Sequence, residues 1–118
     1  MNETRDQLII AVAQLNESKA ARNLMESFPR TVQLNLQGEG RTLHITIESG
    51  RIAMREGDAK EPHLVVTGDT KEFARVVKGE LDVSHPIARG KLRVEKGKVS
   101  EMTLLNRILW AAKRGGGA

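Results

Sequence analysis

The chain has 118 residues, a formal charge of +4, 39% hydrophobic residues and no cysteine. That length suits one domain with a buried core, and the missing cysteines exclude disulfides, thiolate metal sites and cysteine nucleophiles. No run approaches the roughly 20 apolar residues that span a bilayer, and Met1 to Asp6 lacks the basic start and apolar core of a signal peptide, so the expected location is the cytoplasm.

The charge is unevenly placed. Residues 1–88 carry 11 basic and 13 acidic side chains, whereas residues 89–118 carry 8 basic and 2 acidic ones. Positive potential therefore gathers at the C-terminal end.

The first segment predicts helix. Thr4 and Gln7 stand at capping-box spacing, and Leu8, Ala11, Val12 and Leu15 recur at three- and four-residue intervals. The pattern blurs through Asn16, Glu17 and Ser18, recovers at Ala21, Leu24, Met25 and Phe28, and stops at Pro29, leaving one long helix or two short ones. Next, Val32, Leu34 and Leu36 alternate with polar residues, the period of a half-buried strand. A turn at Gly38-Glu39-Gly40 leads to a second such run, with Leu43, Ile45 and Ile47 on the apolar face. Ser49-Gly50 then turns the chain into Arg51–Arg55, where Ile52 and Met54 continue that face and the arginines point away. The result is a three-strand meander with one dry side.

After a charged loop from Glu56 to Pro62, His63–Thr67 reads as a more fully buried strand ended by Gly68. Asp69 and Glu72 form a capping-box pair for a short helix with Phe73, Val76 and Val77 on one face and Gly79 at its exit. The stretch around Pro86 is irregular, and Lys91–Glu95 alternates again as the last strand. Ser100 as N-cap, Glu101 in the first turn and Lys113 and Arg114 in the last define a C-terminal helix with an apolar stripe of Met102, Leu105, Ile108, Leu109 and Ala112. Residues 1–114 are expected to form one domain and residues 115–118 a disordered tail. The fold class is α+β, with a five-stranded, mainly antiparallel sheet covered by helices.

No catalytic constellation stands out. His44, His63 and His85 have no metal-ligand spacing, and the glycines at 38 and 40 belong to a hairpin and not to a phosphate loop. Ser84 and Ser100 lack the glycine-flanked elbow of a hydrolase. The expectation is a non-enzyme without metal or cofactor. The basic end could meet nucleic acid, but Phe28, Phe73 and Trp110 are the whole aromatic set and the phenylalanines read as core, which argues against base stacking. A dimerising interaction module without a ligand, pairing through an edge strand, is the alternative of another class.

From about Val32 onward, the order of elements resembles the sterol-carrier-protein type-two domain. The stretches that carry the likeness are Val65-Val66-Thr67-Gly68-Asp69, Gly79-Glu80-Leu81-Asp82 and Ala88-Arg89-Gly90-Lys91-Leu92-Arg93-Val94. The resemblance implies a hydrophobic cavity between the sheet and the C-terminal helix that holds a fatty acyl, isoprenoid or sterol-like lipid. The side chains expected to line it are Leu34, Leu36, Leu43, Ile45, Ile47, Met54, Phe73, Val77, Met102, Leu105, Ile108 and Leu109. Arg107, Trp110, Lys113 and Arg114 are expected to meet headgroups or a transient anionic membrane surface. Small members of the family also resemble accessory factors that present isoprenoid-quinone intermediates to modifying enzymes.

Overall fold

The computed structural model describes residues 3–115, with side chains described to Lys113. The expected tail at 115–118 and the expected headgroup contact of Arg114 lie outside what it describes, apart from the backbone of Gly115.

The opening segment is two helices, α1 (Glu3–Glu17) and α2 (Lys19–Glu26). The break falls at Ser18, whose extended backbone and side chain, accepting the Ala21 N–H at 3.2 Å, cap the second helix. Such a cap contributes about 1 kcal/mol. The expected capping box at Thr4 is replaced by a tertiary contact. The buried Thr4 hydroxyl lies 2.7 Å from the Thr70 carbonyl oxygen, and its N–H donates to the Glu39 carboxylate at 2.9 Å.

Strands β1 (Arg30–Gln37), β2 (Arg41–Glu48) and β3 (Arg51–Glu56) form the meander. Register follows the alternation: Leu34 opposes Leu43, Val32 opposes Ile45, and Ile47 opposes Ile52. Strand β4 (Leu64–Asp69) then inserts beside β1 in parallel, placing Val66 opposite Leu34, so the sheet order is β3-β2-β1-β4-β5. This pair is the one exception in an otherwise antiparallel sheet.

Gly68 does not end β4, as expected, but continues it. A Cβ there would meet the Lys91 carbonyl oxygen and stand 2.9 Å from Leu92 Cα, so the close approach of β5 (Leu92–Lys96) requires a residue without a side chain. Helix α3 (Thr70–Lys78) begins at the capping Asp69, whose carboxylate accepts the Lys71 N–H at 2.7 Å. It ends at Gly79 in the left-handed conformation, φ 81°.

Three further expectations are corrected. The stretch around Pro86 is a short helix, α4 (Ser84–Ala88), because proline is tolerated in a first turn where no intrahelical donor is needed. Helix α5 (Val99–Gly115) starts before Ser100, and its reciprocal cap is the Glu101 carboxylate accepting the Lys98 N–H at 2.9 Å. Ser100 lies inside the first turn. The last strand likewise runs one residue later than Lys91–Glu95.

The helices α1, α2, α3 and α5 share the apolar face of the sheet, where Val32, Leu43, Leu64, Val66 and Leu92 are almost fully buried. The opposite face is polar and internally bonded: the Asn35 amide donates to Thr67 Oγ1 at 2.9 Å, and Asn35 Oδ1 accepts from Gln33 at 3.1 Å. The edge of β3 is covered by Asn16 of α1, whose amide pairs with both the N–H (2.9 Å) and the C=O (2.8 Å) of Ile52.

Candidate functional site

Where the helical layer meets the sheet, packing is incomplete. A void of about 60 Å³ is bounded by Leu34, Ile45 and Ile52 of the sheet and by α1, α3 and α5. Helix α1 contributes Leu8, Ala11, Val12 and Leu15, which are i, i+3, i+4 and i+7 of one face. Helix α3 adds Phe73, Val76 and Val77, and α5 adds Met102, Leu105, Asn106 and Leu109. The side chains of Ala11, Val12, Val76 and Val77 that border the void are short. Apolar cavities of this kind stay dry and accept apolar guests.

The expected lining divides accordingly. Leu34, Ile45, Phe73, Val77, Met102, Leu105 and Leu109 border the void. Leu36, Leu43, Ile47 and Ile108 are instead packed core residues, and Met54 packs half-buried against that core. Alternation and helical spacing put all five on the inner face, but the void sits under one corner of the helical layer and does not reach them. The four residues of α1 were read from sequence as a core-facing stripe; their place on the void makes the first helix as much a wall as the last.

Asn106 is the single polar residue among the described lining. It is 7% exposed and also borders a wider outer groove, of about 360 Å³, lined by Asp82, Thr103, Arg107, Trp110 and Ala111. Asp82 is placed by the turn into α4, where one carboxylate oxygen accepts the Ser84 N–H at 2.9 Å. That backbone hydrogen bond is the main cause holding its carboxyl below the usual aspartate range. The other oxygen accepts from Asn106 Nδ2 at 3.3 Å. An ionised carboxylate only accepts, so this contact fixes which arm of the amide is nitrogen. Asn106 Oδ1 is buried and has no hydrogen-bond partner among the described residues. A buried acceptor left so costs about 1–3 kcal/mol.

Of the expected headgroup residues, Arg107 and Trp110 line the groove together. Lys113 does not join them. It lies on the α1 side of α5, with Nζ 3.5 Å from Gln14 Oε1. Sequence reasoning passed over Asn106 and Asp82, although an asparagine beside an apolar stripe at Met102, Leu105 and Leu109 is a visible anomaly.

Among the described residues no group of three or more His, Asp or Glu side chains could hold a metal ion, and no helix is long and apolar enough to cross a membrane. The layered arrangement, an open, mostly antiparallel five-stranded sheet with helices on one face, defines an α+β fold. The chain belongs to the SCP-2 sterol transfer family, whose model matches residues 11–109. Membership places it among lipid-binding and lipid-transfer domains.

Solved structures agree on the fold. The UbiJ-SCP2 ubiquinone synthesis protein superposes with a TM-score of 0.70 at 14% identity, covering 89% of this chain and 86% of that one. The apo form of sterol carrier protein 2 from Yarrowia lipolytica gives 0.68 at 19% identity, covering 87% and 86%. Sterol carrier protein-2 like-3 from Aedes aegypti gives 0.68 at 21% identity, covering 88% and 93%. No curated protein matches by sequence.

Proposed function

We propose that the protein is a non-catalytic lipid carrier whose void between sheet and helices opens to hold an apolar chain. The observation that carries this reading is the void itself, unfilled and walled by aliphatic and phenylalanine side chains with one asparagine at its rim. At about 60 Å³ the space admits only a small group. Loading an extended chain therefore requires α1 and α5 to move apart, and those helices form the walls. Arg107 and Trp110, which line the groove together, are the residues that would meet a headgroup or an anionic membrane surface. The lack of cysteine suits a reducing compartment such as the cytoplasm.

Native mass spectrometry of the purified chain, followed by organic extraction, tests the proposal. A co-purifying lipid, or an adduct after incubation with fatty acids, sterols or quinones, is the expected result. A mass unaltered by all three refutes it. A second reading, in which the cargo is an isoprenoid-quinone intermediate presented to modifying enzymes, draws support from the likeness to the ubiquinone synthesis protein. Recovery of a prenylated ring compound would favour it, and recovery of fatty acyl lipids alone would remove it.

A further inference from the structure

The void and the outer groove touch at one residue. Asn106 borders both, and its two amide arms meet different surroundings. The nitrogen is engaged by Asp82 at 3.3 Å on the groove side, while the buried oxygen has no partner among the described residues. Asp82 lines the groove and not the void. An amphiphile with its tail among Leu8, Phe73 and Leu109 has one polar place along the described wall in which to set its head.

We infer that Asn106, with Asp82 behind it, is the headgroup-selecting site of the cavity, choosing apolar ligands that end in a neutral hydrogen-bond donor, an alcohol or a phenol, over ligands that end in a carboxylate. This rests on the carrier reading above and adds a ligand class to it. The chemistry is that of acceptor and charge. Asn106 Oδ1 can only accept, so it pairs with a hydroxyl and leaves a carboxylate, ester or ether oxygen unsatisfied. A carboxylate head would also stand next to Asp82, whose charge is secured by the Ser84 N–H. Arg107 is the rival attraction for an acid; it is exposed in the same groove as Asp82, so water screens both charges and the Asn106 acceptor carries most of the discrimination.

The test uses the full chain and three probes of one chain length: hexadecanol, its methyl ether and palmitate, each competing with a bound fluorescent alkyl probe. The alcohol is expected to bind about tenfold more tightly than either of the others, as one satisfied buried acceptor predicts. Asn106→Leu, close in volume, should bring the alcohol down to the ether without changing the ether. Asp82→Asn lies on an exposed residue and retains a capping side chain, so it should fold as the parent does. It should raise palmitate affinity several-fold and leave the ether alone, and it decides the matter if the Asn106 variant fails to fold. Equal binding of all three probes, or tighter binding of palmitate, overturns the headgroup assignment while the carrier reading stands. Failure of every probe to bind overturns both.

Discussion

Filling the void separates its two consequences, for stability and for cargo. Ala11 is 2% exposed and faces the space from the middle of α1, and Ala11→Val adds two carbons there. Removing a cavity of about 60 Å³ recovers at most ~1.4 kcal/mol at ~24 cal/mol per Å³. The transfer of two carbon groups at ~0.8 kcal/mol each gives a similar ceiling. Valine in a helix interior costs ~0.6 kcal/mol relative to alanine, leaving a net gain of about 0.8 kcal/mol. Urea unfolding with linear extrapolation resolves such a change when variants are measured in parallel. In the displacement assay the carrier proposal expects the same variant to bind alkyl probes at least several-fold more weakly, because the added methyl groups occupy the void. A variant destabilised by more than about 1 kcal/mol would show that the space is not there to fill. A stabilised variant with unchanged binding would show that cargo does not use it.

Three further outcomes follow from polar and backbone contacts. Gly68→Ala should cost more than about 2 kcal/mol in urea unfolding, since the new Cβ meets the fixed backbone of Lys91 and Leu92 as well as the Leu92 side chain. Asn16→Ala should cost about 1–3 kcal/mol and quicken amide exchange at Ile52, whose N–H and C=O both lose their partner on the sheet edge. For Glu39, burial raises the carboxyl pKa, but hydrogen bonds from Thr70 and Thr4 outweigh it, together with Arg41, and hold it below the ordinary value of 4.5. A folded-state value that is depressed means stability present above the unfolded value and lost as pH falls through the folded one. Unfolding measured at about pH 7, 5 and 3 should therefore show a shallower acid decline for Glu39→Gln than for the parent, with Asp82 and Glu101, also lowered, accounting for the slope that remains. Parallel curves would refute the role given to Glu39.

The strands were legible because period-two alternation is a local property. Val32, Leu34 and Leu36, and their partners Leu43, Ile45 and Ile47, lie on the face that their spacing dictates. Pairing of β4 with β1 was not legible, since Val66 meets Leu34 across the interval that contains the whole meander, and no periodicity names a partner. Helix α4 was hidden by Pro86, a residue that usually marks irregular chain, although the Asp82 carboxylate, accepting the Ser84 N–H, turns the chain into it. The site was half legible for a similar reason. Spacing tells which face a side chain takes, so Leu34 and Leu105 were read correctly as inner. It does not tell which inner side chains are close-packed, as Leu43 and Ile108 are, and which border empty space. Asn106 and Asp82 meet only in the folded chain, and neither has a sequence neighbour that betrays the other.

The contact of Lys113 with Gln14 joins α5 to α1, helices at opposite ends of the described chain. Both border the same void, so during synthesis that void lacks its α5 wall until residues 99–115 have left the ribosome. A partly made chain has an apolar sheet face but nowhere to shelter a guest. The space between sheet and helices is thus a product of tertiary contact between distant segments, and the carrier proposed above could load only once α5 has docked against α1.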